Sequence, residues 1–169
     1  ATHKVTYNGG NIVVYDNSSS GEGGDDVYST LTGDWNCNLS AHTLYYEFYG
    51  DWYEVGYQNW VIAIMPNSQE GDFVQFDLLA GTSDTSFGGE NTISDSLGTF
   101  TAYPGYIDAG YLSGAWYYKE DGVTMAPFVD GWVNIKENGD GTLTVEFDVW
   151  DDADYNITGS WTGEIASAS

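Results

Sequence analysis

Two glutamates, Glu47 and Glu146, are the side chains of this sequence best suited to acid–base chemistry. Each lies in a strand-like stretch beside aromatic residues, as do the paired carboxylates of β-jelly-roll glycosidases, which flank the bond that is cleaved. No glycosidase active-site motif surrounds either residue, and glutamates on the exposed face of a strand are common. The pair therefore defines an enzyme hypothesis that ranks third, after two non-catalytic functions.

A group of carboxylate and amide oxygens near the end of the chain is the main candidate for a metal site. Its members are Asp151, Asp152, Asp154 and Asn156, and Ca²⁺ prefers such oxygen ligands. Three of them have the alternate spacing that opens an EF-hand loop, but Ile157 stands where that loop needs glycine and Gly163 where it needs glutamate. We therefore predict a solvated acidic turn and no cofactor, with calcium as the alternative.

Aromatic side chains make up 17% of the chain, about twice an ordinary load. Sugars present flat C–H faces and edge hydroxyls, and a Trp or Tyr ring beside Asp, Asn or Gln can contact both. The candidate ligand-binding residues fall in two groups, Trp52, Tyr53 and Trp60 in the first and Tyr103, Tyr106, Tyr111, Trp116 and Tyr118 in the second. The alternative is that half or more of them pack in the core. For the set as a whole, some exposed aromatic surface is the favoured interpretation.

The charge of the chain restricts its partners. It has 26 acidic residues against 3 basic ones, all lysine, and a formal net charge of -23. This charge repels nucleic-acid phosphates and anionic membrane surfaces, and the absence of arginine removes the usual bidentate group for anionic ligands. A neutral ligand or a cation fits better. We predict a secreted or cell-surface monomer that binds a carbohydrate or another cell-surface partner and no nucleic acid.

The length of 169 residues suits one domain with a substantial core. No run is apolar enough to span a membrane as a helix, and the single cysteine, Cys37, has no partner for an internal disulfide. The sequence does not start with a basic segment followed by an apolar one, so we expect any signal peptide to have been removed or never present.

Residues 131–165 give the clearest strand pattern. Apolar side chains alternate with polar ones, and the apolar set is Val133, Ile135, Leu143, Val145, Phe147, Val149, Ile157, Trp161 and Ile165. Such alternation is typical of strands with one face in a core and one in water. The Asn-Gly-Asp-Gly run at 138–141 supplies the positive φ of a tight turn. We predict a three-stranded antiparallel meander whose outer face carries Trp132 and Trp150.

Shorter strand signals fill the rest of the chain. Strands are predicted at 4–7, 12–15, 41–52, 59–65, 72–79, 97–103, 111–118 and 123–126, with a flexible loop at 16–26 and a long loop at 80–96. The first two form a hairpin, which we favour as part of the main sheet over a separate arm. No helical period of useful length occurs. The spacing predicts one all-β domain, a sandwich or barrel, jelly-roll-like or lipocalin-like, of about nine or ten mainly antiparallel strands.

Several segments also carry a resemblance. They include Leu-Tyr-Tyr-Glu-Phe-Tyr-Gly at 44–50, Gly-Thr-Phe-Thr-Ala-Tyr at 98–103 and Ile-Thr-Gly-Ser-Trp-Thr-Gly at 157–163. In type and order they resemble a loosely defined group of secreted or lipid-anchored all-β domains of gut and oral Bacteroidota. The resemblance implies export, often with a lipidated cysteine near the start, which is not present in this sequence. It carries over no functional residue.

These observations lead us to expect an exported, non-catalytic domain that binds a neutral carbohydrate through an aromatic and carboxylate surface. The rival from another class is a structural or adhesive cell-surface module without a small-molecule ligand. The third hypothesis is a glycoside hydrolase that uses Glu47 and Glu146. A binding domain should expose Trp and Tyr in a groove, a structural module should bury them, and an enzyme should bring two carboxyl groups within roughly 5–10 Å.

Overall fold

The computed structural model of the chain describes the backbone of residues 3–8, 11–16, 27–81, 89–98 and 100–167, and the side chains of 27–80, 89–98 and 100–165. Within these ranges the protein is all-β, as predicted, with fourteen strands. They are β1 (His3–Asn8), β2 (Asn11–Asp16), β3 (Trp35–Asn36), β4 (His42–Gly50), β5 (Gln58–Pro66), β6 (Asp72–Gly81), β7 (Gly89–Ile93), β8 (Thr101–Ala102), β9 (Tyr106–Asp108), β10 (Tyr111–Ser113), β11 (Trp116–Lys119), β12 (Met125–Glu137), β13 (Thr142–Asp151) and β14 (Asn156–Ser167). The described ranges hold no apolar helix of membrane-spanning length.

Ten of the strands form one sheet that closes on itself. Its order is β11-β12-β13-β14-β4-β5-β6-β8-β7 with β3 beside β14, and the row closes because β11 also pairs with β6 and β7 with β12. Eight strands, from β12 through β14, β4 to β6, β8 and β7, therefore make a complete ring. Most neighbours are antiparallel, whereas β14–β4, β14–β3 and β7–β8 are parallel. Of the two architectures left open by the sequence, the barrel is the one found.

The long strand β12 closes the barrel at two levels. Its first residues pair with β11, which pairs in turn with the start of β6. Its later residues pair with β7, and β8 connects β7 to the end of β6. Between the two levels the register shifts at Phe128 and Asp130, and Gly131 follows with a φ of 105°. A Cβ at Gly131 would overlap the carbonyl oxygen of Asp148, so the bend requires glycine there.

Large apolar side chains fill the barrel interior. Those contributed by β5 and β6 include Ile62, Ile64, Val74, Phe76 and Leu78, all fully buried. The Phe76 ring lies 5.5 Å from that of Phe128 and 5.4 Å from that of Phe147, so rings from three strands meet in the core. Because the interior is packed, a ligand site has to lie on an outer face or at a barrel end.

The predicted meander is confirmed. β12, β13 and β14 pair antiparallel in sequence order, with Val133 opposite Phe147 and Val145 opposite Trp161. The predicted inward side chains are buried except Ile165, which is 40% exposed. At that position β14 has left β13 and pairs in parallel with β4, a contact that the local pattern could not indicate.

Two predictions about the remaining segments need correction. The first hairpin forms, but β1 and β2 belong to a second, four-stranded sheet with β10 and β9 and not to the main sheet. The proposed long loop at 80–96 contains β7, whose Asn91 and Ile93 are buried. That alternation is too short to recognise among glycine, serine and threonine. The predicted flexible loop at 16–26 lies, from residue 17 onward, outside the described residues.

Candidate functional site

A pocket of about 320 Å³ lies on the outer face of β5 and β6. Its floor includes Val61, Gln75 and Asp77, which alternate along the strands with the interior residues Ile62 and Phe76. The loop between β4 and β5 stands on one side, and residues 106–114 stand on the other. Two segments that are distant in sequence thus meet over one patch of the barrel wall.

The first wall is the loop of residues 51–57. The Asp51 carboxylate accepts the N–H groups of Val55 and Gly56 at 2.9 and 3.0 Å, and these bonds close the loop on itself. The loop presents Trp52 at the mouth of the pocket with 67% of its surface exposed. Its ring makes an edge contact with the ring of Tyr49, with the centroids 5.8 Å apart. Most of the indole is therefore available to a ligand.

The second wall depends on a turn at Gly114. Its φ is 78°, and a Cβ there would overlap the carbonyl oxygen of Pro104, so glycine is required. This turn splits the predicted strand at 111–118 into β10 and β11. The amide nitrogen of Gln75 donates to the carbonyls of Leu112 and Gly114 at 3.3 and 3.0 Å. These bonds fasten the wall to β6 and hold Ser113 in the pocket lining.

Asp77 is the charged group at the floor. The Tyr53 hydroxyl donates to its Oδ2 at 2.7 Å, and the Asn59 amide nitrogen donates to its Oδ1 at 2.5 Å. The buried Asn59 also donates to the carbonyl of Leu78 at 3.0 Å, which fixes the amide. Burial raises the pKa of Asp77 above its ordinary value, and the hydrogen bonds from Tyr53 and Asn59 only partly offset this effect.

Other tyrosines lie near this carboxylate and its partner Tyr53. The Tyr53 ring stacks on that of Tyr103 at 6.4 Å, and Tyr103 meets Tyr106 edge to face at 5.4 Å. Burial, and then the nearby Asp77, raise the pKa of the Tyr53 and Tyr106 phenols. Burial is the larger cause, and the hydrogen bond to Glu47 the next, of the rise in the pKa of Tyr49 to about 12. These phenols stay protonated at neutral pH and act through hydrogen bonds and ring contacts, not as bases.

The two predicted aromatic groups meet in part. Trp52 and Tyr53 from the first group and Tyr106 from the second line the same pocket, and Tyr103 stacks on Tyr53. Tyr111 is exposed on β10 but is not among the lining residues. The pocket therefore draws on both predicted groups, a convergence that the sequence did not indicate.

Three of the predicted ligand-binding residues, Trp60, Trp116 and Tyr118, are buried and cannot present a ligand surface. Trp60 belongs to the barrel core. Trp116 and Tyr118 are in a second apolar cluster, where Tyr28 contacts the Trp116 ring at 6.4 Å and Phe73 stacks on Tyr118 at 5.0 Å. For Trp116 the prediction failed because the covering residue Tyr28 comes from a distant segment, which alternation within one strand cannot reveal.

The predicted catalytic pair is not brought together. On β13, Glu146 lies opposite Ser160 of β14, and Ala166 follows Ser160 by six residues along β14. Ala166 in turn lies opposite Tyr45 of the parallel strand β4, and Glu47 follows Tyr45 by two residues. The two glutamates are thus eight residues apart along the strand direction, or about 26 Å at roughly 3.3 Å per residue. Glycosidase carboxyl groups need a separation of roughly 5–10 Å. The hypothesis of a Glu47–Glu146 pair is therefore wrong, because strand order separates them.

The aspartates at the β13–β14 connection form a turn, as predicted, but Asp151 is buried and not solvated. Its Oδ1 accepts two backbone N–H groups of the turn at 2.9 and 2.8 Å, and its Oδ2 accepts the Ser29 hydroxyl at 2.6 Å. Asp152 accepts the N–H groups of Tyr28 and Ser29 at 2.7 and 3.1 Å. The two carboxylates thus fasten the segment around residue 29 to the barrel.

The other two predicted metal ligands are Asp154 and Asn156. Asp154 is exposed at a turn with a φ of 66°. The Asn156 amide nitrogen donates to Asp148 at 2.6 Å and to the carbonyl of Val149 at 3.0 Å. Across the described residues, no group of three or more His, Cys, Asp or Glu is arranged to hold a metal ion. Calcium binding at this turn stays the untested alternative.

A second cavity, of about 420 Å³, lies beside the buried Asp72. This carboxylate accepts the Tyr117 hydroxyl at 2.9 Å, the Trp35 indole N–H at 3.2 Å and the Asn38 N–H at 2.8 Å. The Lys119 ammonium lies 4.0 Å from it and 4.9 Å from the Trp35 ring centroid. Because Lys119 matches its charge and three protein groups already donate to it, Asp72 serves the fold, and the first pocket is the better candidate site.

Reasoning from the sequence missed several polar residues of the pocket, namely Asp77, Gln75, Asn59 and Tyr49. A signal for two of them was present, because Gln75 and Asp77 alternate with apolar residues in β6 and so mark a polar outer face. Nothing in the sequence indicated which segments would wall this face in.

Comparison with known proteins identifies no relative, since no family model, no curated protein and no solved structure matches the chain.

Proposed function

We propose that this protein is an exported, non-catalytic domain that binds carbohydrate in the pocket over β5 and β6. The observation that carries the proposal is the joint presence of the exposed Trp52, the rings of Tyr53 and Tyr106, and the oxygen groups of Gln75 and Asp77 in one cavity. Small-ligand sites are typically concave, mostly apolar and equipped with a few convergent polar groups. The pocket meets this description.

A sugar ring offers the chemistry that complements such a pocket. Its C–H faces pack on aromatic rings, and its hydroxyls donate to and accept from groups at the ring edge. Trp52 supplies the exposed ring at the mouth, and Asp77 and Gln75 supply oxygen acceptors at the floor. The Asp77 carboxylate is oriented by Tyr53 and Asn59 before any ligand arrives, which lowers the cost of ordering the site on binding.

Export is the second element of the proposal. The formal net charge of -23 suits solubility in an extracellular medium. The resemblance of the strand segments to secreted or lipid-anchored domains of Bacteroidota points the same way, including to a lipid anchor present before processing. We propose a monomeric module at or beyond the cell surface.

A second candidate function, adhesion to another cell-surface molecule, is favoured by the outer face of β12 and β13. Trp132 and Trp150 are 36% and 43% exposed there. Trp132 lies opposite Asp148, so Trp150 is its diagonal neighbour, about 7–8 Å away. An open strand face with two indoles suits a broad partner more than a small ligand.

Affinity electrophoresis against soluble plant and host polysaccharides separates the two candidates. The proposal predicts that at least one glycan retards the wild type, that Trp52→Ala abolishes the retardation, and that Trp150→Ala retains it. Both variants remove an exposed indole, so they are matched in chemistry and differ in place. Retardation by no glycan would overturn the carbohydrate proposal and favour adhesion, whereas retardation lost only in Trp150→Ala would overturn the pocket and place the glycan on the β12–β13 face.

A further inference from the structure

The carboxylate at the floor of the pocket has no cationic partner among the described side chains. Two of the three lysines are described. Lys119 lies against Asp72 and Trp35, beside the other cavity. Lys136 is on β12, whose described neighbours are β11, β13 and β7, whereas Asp77 is on β6. A charge half-removed from water without a counter-ion is a place where a ligand cation gains binding energy.

Several polar groups of the pocket have their hydrogens engaged within the protein. The hydroxyls of Tyr49 and Tyr53 each donate their single hydrogen to a carboxylate, at 2.8 and 2.7 Å. The amide nitrogens of Asn59 and Gln75 each donate to two oxygens, at 2.5 and 3.0 Å and at 3.3 and 3.0 Å. These four residues therefore have only oxygen acceptors left for a ligand. The complementary ligand is rich in donors.

The rings around the carboxylate favour a positive charge as well. Tyr49, Trp52, Tyr53 and Tyr106 all line the cavity. The face of an aromatic ring carries negative electrostatic potential, and cations within about 6 Å of a ring centroid are attracted to it, most strongly by Trp. An ammonium group has three N–H donors and no acceptor. It therefore matches the rings, the acceptors and the carboxylate together, which an uncharged hydroxyl does only in part.

We propose that the pocket binds the ammonium group of an amino sugar, so that the preferred carbohydrate carries a free amine. This inference rests on the proposed carbohydrate-binding function and refines the expectation of a neutral ligand. The ammonium lies toward Asp77 and the acceptor oxygens, while the sugar ring packs against Trp52. The net charge of -23 adds a long-range attraction for cationic glycans, which salt screens over about 10 Å at 0.1 M.

Three oligosaccharides of equal length test this inference, namely β-1,4-linked hexamers of glucosamine, N-acetylglucosamine and glucose. They share one linkage and differ at carbon 2, which bears an ammonium, an acetamide or a hydroxyl. Calorimetric titration at fixed ionic strength should give a dissociation constant at least about tenfold lower for the glucosamine hexamer than for the other two. Methylammonium chloride, whose cation carries the same three N–H donors, should displace this hexamer from the wild type, and the same concentration of sodium chloride should not.

Two variants separate the pocket from general charge attraction. Asp77→Asn should reduce the preference for the glucosamine hexamer to about twofold or less. Glu146→Gln removes one charge on a distant strand and should leave the preference unchanged. An equal loss in both variants, or failure of methylammonium to compete, would overturn the ammonium site. Equal binding of the three hexamers would do so too, yet would leave the carbohydrate proposal standing. Binding of none of them or of any polysaccharide would overturn both.

Discussion

Removing the Trp52 indole is the perturbation with the clearest expected magnitude. Trp52 is 67% exposed, and a large aromatic side chain has up to about 250 Å² to bury, so about 170 Å² is open to a ligand. A sugar stacked on one face covers roughly half of that, about 80 Å². At about 25 cal/mol per Å² this contact is worth about 2 kcal/mol, or about a 30-fold change in dissociation constant.

Calorimetric titration of wild type and Trp52→Ala with the glycan that retards the protein most would measure this change. Because the indole is mostly in water, the melting temperature of the variant should stay within about 1 °C of that of the wild type. Trp150→Ala, which removes an indole that is 43% exposed on another face, should bind within about twofold of the wild type. Unchanged affinity in Trp52→Ala would refute the assignment of the pocket.

Three further predictions concern stability. Because the pKa of Asp77 is raised in the folded state, ionisation of its carboxyl group destabilises the fold above that pKa and has no effect below the unfolded value near 3.8. The free energy of unfolding of Asp77→Asn in urea, relative to that of the wild type, should therefore increase as pH rises from about 4 to 7. A constant or falling difference would contradict this prediction. Gly131→Ala should lower the free energy of unfolding by more than about 2 kcal/mol, because the φ of Gly131 is 105° and a Cβ would overlap the backbone of Asp148. The control Gly139→Ala, at a φ of 84° with no neighbour within 4 Å, should lower it by about 1 kcal/mol. Equal losses would contradict the overlap with Asp148. Chelation with EDTA should leave the melting temperature unchanged, because the Asp151 oxygens already accept protein hydrogen bonds, and a fall of several degrees would instead support calcium.

Local pattern was sufficient for the strands that have one wet face. The alternation from Val133 to Val149 predicted β12 and β13 and their inward side chains, because a period of two in a strand directly determines which face a residue takes. Closure of the barrel depends on contacts between distant segments. The parallel pairing of Ile165 with Leu44 and the second role of β12 with β7 leave no mark in the local sequence.

The aromatic character of the candidate pocket could be predicted from the sequence, but its full set of lining residues could not. Trp52, Tyr53 and Tyr106 were nominated because aromatic residues beside polar ones suggest sugar contacts, and the structure places them in one pocket. Trp116 looked equivalent in sequence yet is buried, since it belongs to an apolar cluster against which Tyr28 packs. Asp77 was passed over because its significance comes from the segments that enclose it.

The indole N–H resonances of the seven tryptophans provide the most direct test of the central claim. Each tryptophan contributes one such signal to a nitrogen–proton correlation spectrum, and the signals can be assigned by single substitution. Titration with the glycan that binds most tightly should shift the Trp52 signal and leave those of Trp132 and Trp150 in place. Movement of the Trp132 and Trp150 signals with a stationary Trp52 signal would contradict the pocket and place binding on the β12–β13 face.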